Sequence, residues 1–189
     1  MIDPSPTLEP AVAHDEVLFA TQRWLETAVI GLNLCPFARA AQVRNRIRYR
    51  VCFETSTGEL AAALAQELML LHEADAAQHE TTLLIHPNVL QGFPDYNESL
   101  NDADAIVDEL GFEGVIQIAS FHPQYQFAGT APDDIENYTN RSPYPMLHLL
   151  RESSIAAAVA AHPGVDEIPD NNIKTMNALG IAGWRRLWN

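Results

Sequence analysis

The sequence predicts an α/β domain in which a small, mainly parallel sheet of three to four strands packs against helices. Strand-like segments alternate along the chain with segments of helical period. The segments between the strands are long enough for crossover connections, which join parallel strands. The chain has 189 residues, 47% hydrophobic and 19% charged, which is the size and composition of one globular domain.

The chain opens with a segment without periodicity and then enters a helix. Residues 1–12 contain several prolines, and we expect a flexible tail followed by a single domain over residues 13–189. Apolar side chains recur at helical spacing from Val17 to Leu32, which predicts an amphipathic helix. The tail has neither the basic patch nor the apolar run of a secretory signal, so we expect a cytoplasmic protein.

Three segments have the character of strands. Residues 46–53 alternate between polar and apolar side chains, which predicts a strand with one buried face. Residues 81–87 contain an unbroken apolar run, which predicts a strand buried on both faces, and residues 114–121 form the third strand. The one-sided first strand leaves a two-layer α+β sandwich as the alternative fold.

Helices are predicted between and after these strands. Ser56 and Glu59 have the spacing of a capping box and begin a helix that ends near Ala76. Asp95 and Glu98 cap the next helix, which ends at the glycine after Leu110. The two remaining predicted helices are residues 142–161 and residues 169–179.

The charge distribution excludes one class of partner. The formal net charge is −14, and residues 51–140 contain no lysine or arginine. Nucleic-acid backbones bind clustered basic side chains, so we expect no nucleic-acid partner. No segment has the length and apolar character of a membrane span, so we expect no membrane partner.

The segment Ser120–His148 is too long to be an ordinary connection, and it concentrates polar and aromatic residues. Loops of this length in compact domains are commonly functional. We therefore expect the loop to bind a small-molecule ligand. The candidate substrate-binding residues are Tyr125, Gln126, Asn137, Asn140 and Arg141.

Arg141 is the first cation after the long acidic stretch, and two roles are open for it. A guanidinium in acidic surroundings can hold a carboxylate or phosphate of a substrate by two parallel hydrogen bonds. Alternatively, it pairs with a nearby carboxylate and stabilises the loop. The carboxylates in question belong to Asp133, Asp134 and Glu136.

Two histidines follow predicted strands. His86 ends the second strand and His122 ends the third, and each precedes a proline. Parallel strands would bring both imidazoles to the carboxyl edge of the sheet, where open α/β sheets bind ligands. Imidazole titrates near neutral pH, so we predict a catalytic acid and base within reach of one ligand. The alternative is that each histidine is a hydrogen-bonded structural residue.

Cys35 is the third candidate catalytic residue. Pro36 suits the first position of a helix, which would place Cys35 at a helix N-terminus. The helix dipole stabilises a thiolate there, the form of cysteine that attacks carbon or binds a metal. The alternative is a small buried hydrophobe, because free cysteine is among the most buried residue types. Cys35 and Cys52, the two cysteines of the chain, should stay reduced in the cytoplasm.

Four segments of the chain resemble a bacterial family catalogued as domain of unknown function 1415. They are GLNLCPFA, TTLLIHPNVL, NALGIAGW and the run from SFHPQYQFAG to YPMLHLLRE, and the resemblance covers nearly the whole chain from about Val17 onward. The resemblance implies no activity, cofactor or catalytic residue. The segments that define the family are the same ones that stand out here as the long loop and the strand ends. This coincidence favours an enzyme over a plain scaffold.

Three classes of function are therefore open. The leading expectation is an enzyme that acts on a small anionic metabolite through His86, His122, Cys35 and Arg141. The second is a metal or haem protein, since thiolate and imidazole bind zinc, copper and iron. The third is a non-catalytic binding module. The candidate metal ligands are Cys35, His86, His122, His148 and Asp133.

Overall fold

The protein is built on one four-stranded sheet. The computed structural model describes residues 13–161, 164 and 167–189, so the predicted tail lies outside the described residues. The strands are β1 (Ile47–Val51), β2 (Thr81–Ile85), β3 (Ile116–Phe121) and β4 (Met146–Arg151), in the order β1-β2-β4-β3. β1 pairs parallel with β2, and β4 pairs antiparallel with both β2 and β3. Consequently β1, β2 and β3 all run in one direction.

This arrangement confirms the α/β fold class and corrects the pairing. The three predicted strands exist and share a direction, but only one of the three hydrogen-bonded pairs is parallel. The helix predicted for residues 142–161 is wrong in its first half, because residues 146–151 form β4. Pro145 disfavours helical geometry at Tyr144, and the apolar run after it bonds to strands on both sides.

The helices surround this sheet. They are α1 (His14–Trp24), a π-helical turn (Leu25–Ile30), α2 (Ala38–Val43), α3 (Thr57–Glu73), α4 (Phe93–Glu109), a 3₁₀ turn (Ile135–Thr139), α5 (Glu152–Ala161) and α6 (Ile168–Arg186). The first predicted helix is confirmed, although its last turns widen to π geometry. The predicted helix over residues 169–179 is also confirmed, and it continues past a kink at Gly180.

The predicted caps are right for one helix and wrong for another. The Ser56 hydroxyl accepts a hydrogen bond from the Glu59 amide at 3.3 Å and donates to the Glu59 carboxylate at 2.8 Å. This is the expected capping box at the start of α3. α4 begins before the predicted cap Asp95: its N-cap is Gly92, and Pro94 occupies its first turn. Proline suits that position because its missing amide hydrogen has no partner there in any helix.

The sheet has a hydrophobic core on each face. One face packs against α3 and α4 through residues that include Leu68 and Leu149, both fully buried. The other face packs against α1, the π-helical turn and α6 through residues that include Val17 and Met176, also fully buried. Alternation along each strand sends successive side chains to opposite cores. The strand-end and mid-strand histidines are therefore distributed between two separate environments.

A buried carboxylate links α3 to β1. Arg48 donates to both carboxylate oxygens of Glu67, at 2.7 and 3.0 Å, and Arg50 lies 3.7 Å from the same group. Glu67 is only 3% exposed, and its hydrogen bond with Arg48 raises the pKa of that guanidinium. Glu67 falls three residues after Leu64 and four before Leu71, on the inward stripe of α3. That spacing could have identified Glu67 as a buried partner for the β1 arginines.

Candidate functional site

The two predicted catalytic histidines do lie at one edge of the sheet. His86 follows β2 and His122 follows β3, and these strands run in the same direction. Both rings are fully buried and pack against the ring of Tyr96, with centroid distances of 5.8 Å for His86 and 4.9 Å for His122. Both imidazoles thus contact the Tyr96 ring at this edge of the sheet.

Their hydrogen bonds nevertheless give them a structural role. Nδ1 of His86 donates to the Val89 carbonyl at 3.0 Å, and Nε2 of His122 donates to the Leu90 carbonyl at 3.2 Å. Nδ1 of His122 accepts from the Gln124 amide at 3.0 Å. Because a carbonyl can only accept, these bonds fix the tautomer of each neutral ring. The two histidines hold the turn that follows β2, in which Leu90 has a positive φ of 56°.

The same environment keeps both rings uncharged. Burial lowers the pKa of His86 to about 4 and also lowers the pKa of His122. His122 has both nitrogens in hydrogen bonds, so it has no lone pair for a substrate. Nε2 of His86 is buried without a hydrogen-bond partner among the described residues, and His86 lines neither of the two cavities described below. The catalytic role of this pair stays a prediction from the sequence, since the hydrogen bonds and burial favour the structural alternative.

The predicted substrate-binding loop is braced by its own polar side chains. The fully buried Asn137 accepts from the Phe127 amide at 2.9 Å and the Thr130 hydroxyl at 2.8 Å, and its amide donates to the Ala131 carbonyl at 2.8 Å. Three further candidates are occupied in a similar way. Gln126 donates to Thr130, Asn140 donates to Ser120, and the Tyr125 ring packs on Phe93 and Phe127.

Arg141 matches neither of its two predicted roles completely. Its Nε donates to the Tyr125 carbonyl at 3.2 Å and its Nη2 to the Pro132 carbonyl at 2.6 Å. The guanidinium also lies 4.2 Å from the centroid of the Tyr138 ring. It has no ion pair with a carboxylate among the described residues. Arg141 therefore stabilises the loop through backbone carbonyls and a cation–π contact.

A pocket that the sequence did not predict lies on the face of the sheet covered by α1. We call it the sheet pocket; its volume is about 300 Å³. Its floor includes Leu83, Ala119 and His148, and its walls come from the π-helical turn, α2 and α5. Most of its lining is apolar. Small-molecule sites typically have volumes of about 300–1,000 Å³ and mostly apolar walls with a few polar groups.

His148 is a polar group on the floor of the sheet pocket, which Thr81 and Gln117 also line. The Thr81 hydroxyl donates to the Leu149 carbonyl at 2.6 Å, so its oxygen accepts from Nε2 of His148 at 2.7 Å. Nδ1 of His148 then carries a lone pair and has no hydrogen-bond partner among the described residues. Enclosure lowers the pKa of His148 to about 4, so the ring stays neutral near physiological pH. A ligand can donate a hydrogen bond to this nitrogen.

Cys35 also lines the sheet pocket, where it is half-buried. Its predicted position at a helix N-terminus is wrong. α2 begins only at Ala38, after a turn in which the Ala38 amide donates to the Cys35 carbonyl at 3.3 Å. The other cysteine, Cys52, is fully buried in the opposite core, and burial raises the pKa of its thiol to about 12. Cys35 is thus the accessible thiol of the described chain.

The predicted metal ligands are not brought together. His86 and His122 lie at the edge of the sheet. His148 lies in the middle of β4, on the face that carries the sheet pocket, and Asp133 is exposed in the loop. Within the part of the chain that the structure describes, no three His, Cys, Asp or Glu side chains form a group that could hold a metal ion. The donor set expected for zinc, copper or iron is therefore not assembled by these residues.

Sequence reasoning missed the sheet pocket because its lining comes from many elements. The walls depend on the widened turn Leu25–Ile30, and π geometry in a helix frequently occurs at functional sites. No residue pattern in the sequence predicts that π-helical turn. One signal was available: His148 is a polar residue within an apolar run, which in a buried strand indicates a hydrogen-bonded or functional group.

The described residues form a mixed α/β protein with an apolar cavity on one face of its sheet. Within that class, the chain belongs to the family described as protein of unknown function (DUF1415), whose model matches residues 16–186. Comparison with curated proteins and with solved structures gives no match. Among the described helices, none is both long and apolar enough to span a membrane.

Proposed function

We propose that this protein binds a small, mostly apolar molecule in the sheet pocket, and that the ligand donates a hydrogen bond to Nδ1 of His148. The observation that supports the proposal is an apolar, ligand-sized cavity whose lining includes His148, the Nδ1 of which has no hydrogen-bond partner among the described residues. A polar atom in apolar surroundings is destabilising unless it has a hydrogen-bond partner. The cavity therefore favours ligands that supply a hydrogen-bond donor.

The pocket also favours a particular chemistry if the protein is an enzyme. His148 is a poor proton acceptor because its pKa is about 4, so its role is to orient the ligand. Cys35 contributes its thiol to the same cavity, and we propose that this thiol lies against the bound ligand. A cytoplasmic location, which we also propose, would keep this thiol reduced.

The expectation of an anionic metabolite at the carboxyl edge has less support. His86 and His122 lack an accessible lone pair, and the loop amides are occupied by loop hydrogen bonds. Arg151 lines the sheet pocket, but its guanidinium donates to carbonyls at the end of α3, including that of Ala74 at 2.6 Å. The ligand that fits the pocket best is therefore uncharged.

Protection of Cys35 tests this proposal. A library of uncharged small molecules is screened for compounds that slow alkylation of Cys35 and also raise the melting temperature. We expect such compounds to carry a hydrogen-bond donor and to bind His148→Phe about tenfold more weakly, since that variant keeps a ring but removes the acceptor. The proposal fails if no compound does both, or if hits bind wild type and His148→Phe equally well.

A further inference from the structure

A second cavity opens where α1, α6 and the polar loop meet; the polar loop is the segment between β3 and β4. We call this cavity the tryptophan cleft, and its volume is about 480 Å³. Trp24, Trp184 and Trp188 line it, and they are the three tryptophans of the chain. Phe19 lies at the same cleft and is 66% exposed, which is unusual for a large apolar side chain. The cleft thus concentrates aromatic surface that the fold itself does not use completely.

The rings in the cleft form an edge-to-face series. Trp184 and Trp188 meet at a centroid distance of 5.4 Å, and Tyr138 meets Trp184 at 5.3 Å. Both pairs are T-shaped, and Trp184 is only 8% exposed, so Trp188 and Phe19 present the more accessible aromatic surface of the cleft. Such a wall favours a flat aromatic ligand, because aromatic pairs gain about 0.5–1.5 kcal/mol beyond the area that they bury.

Two guanidinium groups give the cleft a positive charge. Arg23 and Arg141 line it, and no aspartate or glutamate is among its described lining residues. The ion pairs of the described residues include neither arginine, although the chain carries a net charge of −14. Both guanidinium groups are therefore available to pair with an anionic ligand, in a protein whose net charge is negative.

Backbone carbonyls hold both guanidinium groups in place without exhausting their donors. Nη2 of Arg23 donates to the Trp188 carbonyl at 2.9 Å, and its guanidinium lies 5.9 Å from the Trp188 ring. Arg141 uses Nε and Nη2, so its Nη1 has no partner among the described residues. Side chains that are already ordered lose little entropy on binding, and a free guanidinium nitrogen bonds strongly to a carboxylate or phosphate.

We propose that the tryptophan cleft binds a small aromatic anion, with the ring against the tryptophan wall and a carboxylate or phosphate on Arg23 and Arg141. This site is separate from the sheet pocket and takes a ligand of opposite character. Trp24 lines both cavities, and its indole nitrogen donates to the Arg141 carbonyl at 2.8 Å. The Trp24 ring is therefore the wall between the two sites.

Tryptophan emission measures binding directly, because every tryptophan lines the cleft. The probes are benzoate and phenyl phosphate, compared with neutral benzyl alcohol, non-aromatic cyclohexanecarboxylate and inorganic phosphate. We expect a saturable change with at least one aromatic anion, at least about fivefold tighter than with the three comparison compounds, and weaker in high salt. No saturable change with either aromatic anion, or equal affinity for benzyl alcohol, would overturn the proposal.

Variants assign the signal to the cleft. Arg23→Gln, in which an exposed side chain changes, should weaken binding of the aromatic anion at least about fivefold, and Arg141→Lys should weaken it as well. Arg44→Gln, an exposed control outside the cleft, should bind like wild type. Ala119→Leu, which fills the sheet pocket, should also leave the affinity unchanged. Loss of binding in Ala119→Leu, or full binding in Arg23→Gln, would show that the cleft is not the site.

Discussion

At the scale of single residues, burial decides which groups can react. Cys52 is fully buried and its pKa is raised to about 12, whereas Cys35 is half-buried at the sheet pocket. We expect a thiol reagent to modify one cysteine per native chain and two per unfolded chain. In Cys35→Ser the native value should fall to zero. Rapid modification of Cys52 in the native protein would contradict this assignment.

The buried histidines predict how stability depends on pH. The pKa values of His86 and His148 are lowered to about 4 in the folded protein, compared with about 6.5 when unfolded. The unfolded chain therefore binds more protons between these values. The stabilisation is complete above about pH 6.5 and is lost as the pH falls towards 4, by up to about 1.4 kcal/mol per pH unit for each histidine.

Urea unfolding between about pH 7.5 and pH 5.5, above the range in which carboxylates titrate, measures this dependence. We expect the free energy of unfolding to fall with decreasing pH in the wild type and to fall less in His148→Phe. The control His14→Gln changes an exposed histidine and should match the wild-type profile. A wild-type profile that stays flat across this range would contradict the prediction.

The histidines also show what the sequence could predict at this scale. The positions of His86 and His122 at one sheet edge followed from strand direction, and the structure confirms them. Their roles could not be predicted in the same way. Whether an imidazole nitrogen is free depends on the carbonyls of the next turn, here those of Val89 and Leu90, and no residue pattern specifies where those carbonyls point.

At the scale of elements, the buried amide of Asn137 makes three of the hydrogen bonds that brace the loop between β3 and β4. Asn137→Ala removes three hydrogen bonds and leaves the buried groups that they satisfied without partners. We expect a loss of about 2 kcal/mol, concentrated in the loop. Amide hydrogen exchange should accelerate over residues 125–140 and less elsewhere. The matched control Asn101→Ala, on exposed surface of α4, should exchange like wild type; equal effects of the two substitutions would contradict this role.

The contact between α3 and β1 predicts a second effect at this scale. Glu67→Gln removes the charge from a buried partner of Arg48, which is itself 43% exposed. We expect a loss of about 2 kcal/mol, between the values for exposed and fully buried pairs. Urea unfolding of Glu67→Gln measures the loss, and Glu73→Gln on an exposed turn of the same helix is the control. A difference between the two below about 0.5 kcal/mol would show that the pair adds little.

Strand β4 shows where element prediction ended. The alternation of β1, the unbroken apolar run of β2 and the capping box of α3 are local signals, and each identified its element. β4 is central, and its pairing partners lie far away in the sequence. Without knowledge of those partners, an apolar run after a serine and a proline reads equally well as a helix start.

At the scale of the whole molecule, the sheet pocket lies away from the edge where sequence reasoning placed the site, whereas Pro123 and Arg141 of the predicted loop line the tryptophan cleft. The sheet pocket lies on one face of the sheet, under α1 and the π-helical turn, and the tryptophan cleft lies on the other side of Trp24. Strand direction predicts edges, but cavities arise from how helices fail to fill the space above a sheet. Of the residues in the sheet pocket, the sequence therefore predicted only Cys35 and His148 as functional candidates, and it did not predict that they share a cavity.

The most direct test of ligand binding in the sheet pocket uses the strongest Cys35-protecting compound. Titration calorimetry measures its affinity for three variants. Ala119→Leu places three extra carbons on the floor of the sheet pocket, and Gln124→Ala changes an exposed residue at the histidine edge. Ala62→Leu, an exposed site on α3, controls for the added leucine. We predict at least about a tenfold loss of affinity in Ala119→Leu alone. Wild-type affinity in Ala119→Leu with loss in Gln124→Ala would place the ligand at the histidine edge and contradict binding in the sheet pocket.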